Sequence, residues 1–344
     1  MLSRKDTSFD WRGFLFLCKA LVLIFLMGVS ARYGTLYAAG ALWPSEPPAP
    51  APVVVEPMPL QNVVKRTSEV AADTETQAQE EQAMPELSAS AALSVLVDSS
   101  GTSRVLLSKQ ADQELPIASM TKLMTALVVN DLFDPTDTVT VSQNTLNQTG
   151  NGLSGLYHAG DTFFVTDALY AMLVASHNEI ANAFAEKAGV ADFVQQMNAK
   201  AAALGMQHTH FTNPSGLDPT DGEAPNYSTA SDVYALLRYV YEKEPKLFAI
   251  LGTKEYRLKD VGASGVATVH NTDQLLHDNT IGLPVVGGKT GQTGLAGKNL
   301  AVVSSGPLGD VIISVVIGSQ DNFSDMRGVL QYVASTSLPS LWWK

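Results

Sequence analysis

Residues 118–129 have the sequence ASMTKLMTALVV, a run without glycine or proline that follows Pro116 and Ile117. Alanine, leucine and methionine favour helix, so the run predicts a helix that starts near Ser119. Side chains three positions apart share one face of a helix, which places Lys122 beside Ser119. A serine hydroxyl is a weak nucleophile until a base takes its proton, and an adjacent lysine is one such base. The free N–H groups at a helix start also favour developing negative charge.

Two further strings supply the other groups that covalent acyl transfer needs when no histidine is the base. Ser176-His177-Asn178 lies between two apolar helical runs, and Lys289-Thr290-Gly291 ends an apolar strand. Lys122 must be neutral to act as a base, and a second cation, for which Lys289 is the candidate, lowers its pKa. Ser142-Gln143-Asn144 repeats the Ser-x-Asn spacing, but it follows a Thr/Val run and predicts a helix cap or turn.

The three strings in this order resemble the serine D-alanyl-D-alanine carboxypeptidase family, the low-molecular-mass penicillin-binding proteins of the peptidase S11 type, which are related to class A β-lactamases. The similarity covers roughly residues 88–335 and is supported by four other segments that resemble family signatures. These segments are Asp161–Tyr170, Phe211–Asp218, Asn226–Asp232 and Asn271–Leu276.

The resemblance implies a role for each matching residue. Ser119 is expected to be the acylated nucleophile and Lys122 its base, while Ser176 relays protons. The substrate would be held by the side chains or backbone of Asn178, Lys289, Thr290, Gly291 and Gln292, the last through its backbone N–H, which forms the oxyanion hole with that of Ser119. The family uses no cofactor and no metal, and the sequence has no cofactor-binding loop or metal cluster.

The expected reaction removes the terminal D-alanine from peptidoglycan stem peptides through a Ser119 acyl-enzyme, with β-lactams as covalent inhibitors. Two alternatives stay open: an endopeptidase that cleaves peptidoglycan cross-links by the same chemistry, and a non-catalytic wall- or penicillin-binding protein. A β-lactamase is disfavoured because no Glu-x-x-Leu-Asn string occurs between Asn178 and Lys289. A zinc peptidase is disfavoured because the close pair His208 and His210 has no compact acidic partner.

His177 is unusual, because small residues are common at the middle of the second string in relatives. Two interpretations are open. A histidine there could narrow the cleft or titrate near neutral pH. Alternatively, its ring points away from the cleft, into packing or solvent.

Composition predicts three regions and bacterial export. Residues 1–43 contain an apolar run flanked by basic residues, typical of a signal peptide or an N-terminal membrane anchor, and cleavage and retention stay equally open. Residues 44–87 are proline-rich and then acidic and Gln-rich, which favours a disordered linker, with a short helix as the alternative. Residues 88–344 form the predicted catalytic domain, outside the cytoplasmic membrane. The net charge of −12 and the lack of a basic stripe argue against nucleic acid as a partner.

Within residues 88–344, strands bracket a helical block. A hairpin is predicted at Leu93–Val97 and Arg104–Leu107, and three apolar strands are predicted near the end, at Pro284–Lys289, Asn299–Ser304 and Val311–Ile317. This order predicts an α+β fold of the β-lactamase/transpeptidase type, in which one antiparallel sheet is assembled from both ends of the domain. The active site would lie between that sheet and the helical lobe.

Overall fold

The central sheet joins the two ends of the globular part of the chain. A computed structural model describes residues 84–148, 156–220, 222–259, 267–276, 278, 280–306 and 309–336. Five antiparallel strands lie in the order β2-β1-β11-β10-β9. Their bounds are Ala91–Val97 (β1), Ser103–Lys109 (β2), Val285–Thr293 (β9), Gly297–Ser305 (β10) and Val311–Ser319 (β11). The predicted α+β class, with one sheet built from both ends, is confirmed.

The middle of this sheet is covered on both faces. Every residue of β1 is buried, as are the first seven residues of β11, and strands buried on both faces have continuous apolar sequences rather than alternating ones. The buried hydroxyls of Ser94 and Ser314, on facing positions of these strands, satisfy each other at 2.8 Å. One face packs on the helical lobe and the other on the last helix, Asn322–Thr336 (α8).

Helices fill the lobe between the two halves of the sheet. Their bounds are Thr121–Leu132 (α1), Gln143–Asn147 (α2), Val165–Val174 (α3), Asn178–Ala188 (α4), Val190–Ala203 (α5), Ala230–Lys243 (α6) and Pro245–Leu251 (α7). Helix α1 is buried on all sides from Thr121 to Val129, as its almost uninterrupted apolar sequence requires. It is therefore the central helix of the lobe.

Three short strand pairs complete the described fold. They are Leu115–Pro116 (β3) with Tyr227–Ser228 (β6), Thr138–Thr140 (β4) with Thr162–Phe164 (β5), and Glu255–Arg257 (β7) with Thr268–His270 (β8).

Two local predictions needed correction. The strand predicted to end at Lys289 continues to Thr293, because Thr290, Gly291 and Gln292 still pair with β10. The helix predicted to begin at Ser119 starts with a 3₁₀ turn, Ala118–Met120, and becomes α-helical only at Thr121. Lys289 consequently lies inside a strand rather than at its end.

The second Ser-x-Asn string is a helix cap, as predicted. The Oγ atom of Ser142 accepts a hydrogen bond from the Thr145 N–H, and the Thr145 hydroxyl accepts one from the Ser142 N–H. This reciprocal pair satisfies two donors at the start of α2. The Ser142 side chain therefore caps α2.

The predicted N-terminal segment, residues 1–43, and most of the predicted linker lie outside the described residues. No helix within the described ranges is long and apolar enough to cross a membrane. The three-region division of the chain stays a prediction.

Candidate active site

The three strings meet at one cleft between the sheet and the helical lobe. The cleft has a volume of about 610 Å³. Its lining includes the nucleophile candidate, the second string and the outer edge of β9, together with residues from the α8 end of the sheet. The lining residues are Ser119, Ser176, Asn178, Thr272, Gln274, Thr290, Gly291, Gln292, Lys298, Asp321, Asn322 and Phe323. Lys122 and Lys289 lie beneath this surface, with 0% and 1% of their area exposed.

Lys122 connects the nucleophile to the second string. Its Nζ atom lies 2.8 Å from Ser119 Oγ, 2.7 Å from Asn178 Oδ1 and 2.7 Å from the carbonyl oxygen of Ser215. A neutral amine has two N–H donors and one lone pair. The two oxygens that can only accept, those of Asn178 and Ser215, take the N–H groups, which leaves the lone pair directed at the Ser119 hydroxyl.

The backbone around Ser119 is held in an uncommon conformation. Ala118, just before it, has a φ of +47°, which is unusual for a residue other than glycine. Two glycines allow other segments to approach this turn. A Cβ added to Gly216 would lie 1.9 Å from the Ala118 carbonyl oxygen, and one added to Gly291 would lie 3.2 Å from the Ser119 nitrogen. The two glycines thus let the Ser215 loop and β9 pack directly against the nucleophile.

Lys289 contacts the second serine of the site, Ser176. Its Nζ donates to Ser176 Oγ at 2.8 Å and to the Thr290 carbonyl oxygen at 2.9 Å. Ser176 itself has a left-handed φ of +63°. Ser176 therefore lies between the two lysine-centred groups, since its hydroxyl is bonded to Lys289 and Asn178, two residues further on, is bonded to Lys122.

Burial shifts the pKa values of both lysines downward. Burial, followed by repulsion from Lys289, holds the pKa of Lys122 well below its ordinary value. Burial also lowers the pKa of Lys289 to about 7, opposed by the negative charge of Asp273. The prediction that Lys289 lowers the pKa of Lys122 is thus supported, with burial as the larger cause.

A threonine pair forms one wall of the cleft. The hydroxyls of Thr272 and Thr290 are 2.6 Å apart, and the Thr272 N–H donates to the carbonyl oxygen of Val174 at the end of α3. Beneath them, Asp273 is 4% exposed, and one carboxylate oxygen has no hydrogen-bond partner in the structure. Burial raises the pKa of Asp273 to about 6.

The signature segments named from the sequence hold the Ser215 loop in place. The side chain of Asn226 accepts from the N–H groups of Thr212 and Asn213 and donates to the Thr121 hydroxyl at the start of α1. The Asn213 side chain in turn accepts from the N–H groups of Ser215 and Gly216. These amides fix the carbonyl that contacts Lys122.

His177 points away from the cleft into packing. It is 3% exposed, and its Nδ1 atom is hydrogen-bonded to the Tyr157 hydroxyl. Burial, with repulsion from Lys122 and Lys289, lowers its pKa to about 4. The interpretation that it titrates near neutral pH is therefore not supported.

The histidine pair considered for zinc does not form a metal site. His208 Nδ1 lies 3.1 Å from a carboxylate oxygen of the exposed Glu114, and the His210 ring packs on Tyr227. Across the described ranges, no three His, Cys, Asp or Glu side chains are grouped so as to hold a metal ion.

All eight residues predicted from the sequence lie at this site, but four participants were not predicted individually. Ser215 acts through its backbone oxygen, which no side-chain pattern reveals. Thr272 and Asp273 were inside the segment Asn271–Leu276, whose polar start was the available signal. Tyr157 had no signal, because its contact with His177 depends on how a loop folds.

Comparison with known families matches residues 76–321 to the family described as D-alanyl-D-alanine carboxypeptidase, peptidase S11. A D-alanyl-D-alanine endopeptidase from Pseudomonas aeruginosa is 31% identical over 255 residues, which cover 72% of this chain and 79% of that protein. The D-alanyl-D-alanine carboxypeptidase DacC from Escherichia coli is 34% identical over 230 residues, covering 63% of this chain and 54% of that enzyme.

Solved structures give the same result. A D-alanyl-D-alanine carboxypeptidase from Mycobacterium tuberculosis superposes with a TM-score of 0.64 at 26% identity, covering 74% of this chain and 94% of that chain. Penicillin-binding protein D2 from Listeria monocytogenes, in its ampicillin-bound form, superposes with a TM-score of 0.59 at 28% identity, covering 72% and 99%.

Proposed function

Because this chain belongs to the D-alanyl-D-alanine carboxypeptidase family, peptidase S11, we propose that it removes the terminal D-alanine of peptidoglycan stem peptides through an acyl-enzyme on Ser119. The observation that carries the residue assignment is the contact of 2.8 Å between Ser119 Oγ and the Nζ of a fully buried lysine. A buried amine with a low pKa is a competent general base at neutral pH.

The first half-reaction breaks the peptide bond. Ser119 Oγ attacks the carbonyl carbon of the penultimate D-alanine as its proton passes to Lys122 Nζ. The tetrahedral intermediate carries an oxyanion, which the N–H groups of Ser119 and Gln292 stabilise; one such donor is typically worth about 2.7–4 kcal/mol. The C–N bond then breaks, and the proton that Lys122 took from Ser119 passes through the Ser176 hydroxyl to the leaving nitrogen, which makes Lys122 neutral again. The product is free D-alanine and an ester on Ser119.

The second half-reaction restores the enzyme. A water molecule loses a proton to Lys122 and attacks the ester carbonyl carbon. The second tetrahedral intermediate collapses, the C–O bond to Ser119 breaks, and Ser119 Oγ regains a proton from Lys122. The shortened stem peptide forms as a carboxylic acid, which releases one proton to the solvent and leaves as a carboxylate.

The carboxylate of the terminal D-alanine is assigned to Lys289 and the threonine pair. Lys289 supplies positive charge, and the hydroxyls of Thr290 and Thr272 lie at the cleft surface where they can donate hydrogen bonds. Asn178 anchors the substrate amide, and the edge of β9 from Gly291 to Gln292 pairs with the peptide backbone.

A β-lactam would acylate Ser119 by the same first half-reaction and form an ester with it. The solved Listeria relative binds ampicillin, and we expect the ester on Ser119 to be long-lived here because the sequence lacks the Glu-x-x-Leu-Asn string of class A β-lactamases. A chromogenic cephalosporin should therefore give about one equivalent of product per enzyme, followed by slow turnover. Rapid continuous turnover would contradict this assignment.

A D,D-endopeptidase is the second candidate function. It is favoured by the Pseudomonas endopeptidase, which this chain matches over 79% of that protein's length. The cleft volume of about 610 Å³ is also compatible with a leaving group larger than alanine. The chemistry on Ser119 is identical, so only the substrate distinguishes the two functions.

The discriminating experiment uses purified protein with a pentapeptide muropeptide and with a cross-linked dimeric muropeptide, and resolves the products by mass. Loss of one alanine from the pentapeptide supports the carboxypeptidase, and conversion of dimer to monomers supports the endopeptidase. Ser119→Ala should abolish both. Hydrolysis that survives in this variant would refute the nucleophile, and wild-type protein that cleaves neither substrate would favour a binding protein.

Location outside the cytoplasmic membrane belongs to the same proposal. It is supported by the basic-flanked apolar run in residues 1–43 and by a substrate that lies in the cell wall. Fractionation of cells, with the N-terminal mass of the isolated protein, distinguishes a cleaved signal peptide from a retained membrane anchor. Recovery of active protein with an intact N-terminus in the cytoplasm would contradict both.

A further inference from the structure

A buried tyrosine and histidine form a pair directly behind the second string. The Tyr157 hydroxyl and the His177 Nδ1 atom share a hydrogen bond, and the two rings meet edge to face with centroids 5.2 Å apart. Tyr157 is 5% exposed and packs its other side on the ring of Phe163 in β5. The pair therefore ties the segment that precedes β5 to the junction between α3 and α4.

The position of His177 in the sequence gives this pair its importance. Its two neighbours are Ser176, bonded to Lys289, and Asn178, bonded to Lys122. Displacement of the imidazole would move both neighbours, because all three residues share one short stretch of backbone. The two lysine contacts depend on distances of 2.7–2.8 Å, so a small shift would lengthen them.

The backbone at this junction also needs external support. Ser176 has a φ of +63°, a left-handed conformation that residues with a Cβ seldom adopt. Such conformations persist only where surrounding contacts over-determine them. The His177 N–H donates to the Ala171 carbonyl oxygen at a long 3.3 Å. The hydrogen-bonded imidazole is a second constraint beside Ser176.

Both members of the pair are neutral in the folded protein. Burial and the two nearby lysines lower the pKa of His177 to about 4. Burial, followed by the negative charges of Glu179 and Asp161, raises the pKa of Tyr157 above its ordinary value. A neutral phenol and a neutral imidazole can satisfy each other by one hydrogen bond without adding charge beside the lysines.

We propose that Tyr157 and His177 are positioning residues, which hold Ser176 and Asn178 in the geometry that couples the two lysines to the substrate. This inference rests on the proposed acyl transfer at Ser119. Neither side chain touches the substrate, so the pair acts on the rate of acylation through Ser176 and Asn178. A small residue at this position would have no side chain to hold the backbone, whereas the His177 ring fixes it through the hydrogen bond to Tyr157.

The test measures the rate of acylation by a fluorescent penicillin together with the melting temperature. Tyr157→Phe removes only the hydroxyl and should slow acylation by roughly tenfold, because a misplacement of about 1 Å can cost about 10²-fold and the loss of one hydrogen bond should cause a smaller shift. Tyr256→Phe is the matched control. The Tyr256 hydroxyl is likewise bonded, to Asp167, but outside the cleft, and its loss should leave the acylation rate unchanged.

Conservative replacement at His177 separates positioning from simple packing. His177→Asn keeps a polar atom near the place of Nδ1 and should retain acylation within about threefold, whereas His177→Leu fills the site without that atom and should lose roughly tenfold or more. Tyr157→Phe combined with His177→Leu should be no slower than the slower single variant, since both remove one interaction.

Three outcomes would overturn the inference. They are a wild-type acylation rate in Tyr157→Phe, equal losses in His177→Asn and His177→Leu, and losses that are explained entirely by the unfolded fraction. In each case wild-type protein that still labels on Ser119 leaves the proposed function standing. Failure of wild-type protein to label would refute the proposed function instead.

Discussion

Ser176 Oγ lies 2.8 Å from Lys289 Nζ, although the two residues are 113 positions apart in the sequence. The chain contains a second Ser-x-Asn string, at Ser142, whose hydroxyl caps a helix instead. The same Ser-x-Asn pattern thus lies at the cleft in the case of Ser176 and caps a helix in the case of Ser142. The difference comes from the fold, because only Ser176 faces the cleft and β9.

Substitution of each serine by alanine should separate these two roles. Ser176→Ala removes the proposed proton relay, and we expect acylation by penicillin to slow by about 10²–10⁴-fold, the usual effect of losing an acid–base group, with little change in melting temperature. Ser142→Ala should acylate at the wild-type rate and lose about 0.5–2 kcal/mol of stability, as for other helix caps. Equal acylation rates in the two variants would remove Ser176 from the mechanism.

Replacement of Lys122 tests the proposed base. Lys122→Arg keeps a cation that cannot be deprotonated in proteins, and Lys122→Met keeps an apolar stem without a base. Both should lower the acylation rate by about 10²–10⁴-fold. Lys254→Met, at an exposed lysine outside the cleft lining, is the control and should have no effect. Wild-type acylation by Lys122→Arg would assign the base to another group.

The sequence was most informative where chemistry depends on short spacings. Ser119 and Lys122 are three residues apart, so their contact followed from helical geometry, and the order of the strands predicted the sheet. The contacts that escaped prediction join distant segments: the Ser215 carbonyl to Lys122 across 93 positions, and Tyr157 to His177 across 20. A backbone oxygen has no sequence signature, and the course of a loop is decided by packing.

The close approach of Gly216 to Ala118 gives a prediction that separates steric overlap from backbone strain. Gly216 and Gly205 have similar φ values, +79° and +76°. A Cβ at Gly205 would meet nothing within 4 Å, whereas one at Gly216 would lie 1.9 Å from the Ala118 carbonyl oxygen. Gly205→Ala should therefore cost about 1–3 kcal/mol of stability and leave the acylation rate of the folded protein unchanged.

Gly216→Ala adds the same backbone strain and also forces the Ser215 loop away from the turn that presents Ser119. We expect it either to fail to fold or to acylate at least about 10²-fold more slowly, since misplacement of a reacting group has that cost. Circular dichroism distinguishes the two results. A folded Gly216→Ala variant that acylates as fast as Gly205→Ala would mean that the loop can move without disturbing the nucleophile.

Asp325 joins the start of the described domain to its last helix. Its carboxylate accepts hydrogen bonds from the N–H groups of Ser88 and Ala89, at 3.0 and 2.8 Å, and from the hydroxyls of Ser88 and Ser319. Burial acts to raise its pKa, but the hydrogen bonds from Ser319 and Ser88 outweigh it and hold the pKa below its ordinary value.

A carboxyl group whose pKa is lowered by folding stabilises the protein above its unfolded-state pKa, and this contribution disappears as the pH falls through the folded-state pKa. Asp325→Asn should therefore cost about 1.5–3 kcal/mol in urea unfolding at pH 7, the usual value of hydrogen bonds to a charged group, and less near pH 3. The exposed Asp192 provides a control, Asp192→Asn, with little effect at either pH. A loss of unfolding free energy in Asp325→Asn that is the same at both pH values would mean that the charge of Asp325 does not contribute to stability.

The charge of Asp273 should influence the pH above which the acylation rate falls. Lys289 must be cationic to hold the carboxylate of a penicillin or a peptide, and its pKa is about 7, so the acylation rate at low penicillin concentration should fall as the pH rises through that value. Asp273 opposes the downward shift, and with its own pKa at about 6 it is mostly anionic at pH 7.

Asp273→Asn removes this charge, which should lower the pKa of Lys289 further and move the fall in acylation rate to lower pH. The control variant Asp192→Asn should leave the pH profile unchanged. A shift to higher pH, or none, would mean that the carboxylate does not act on Lys289.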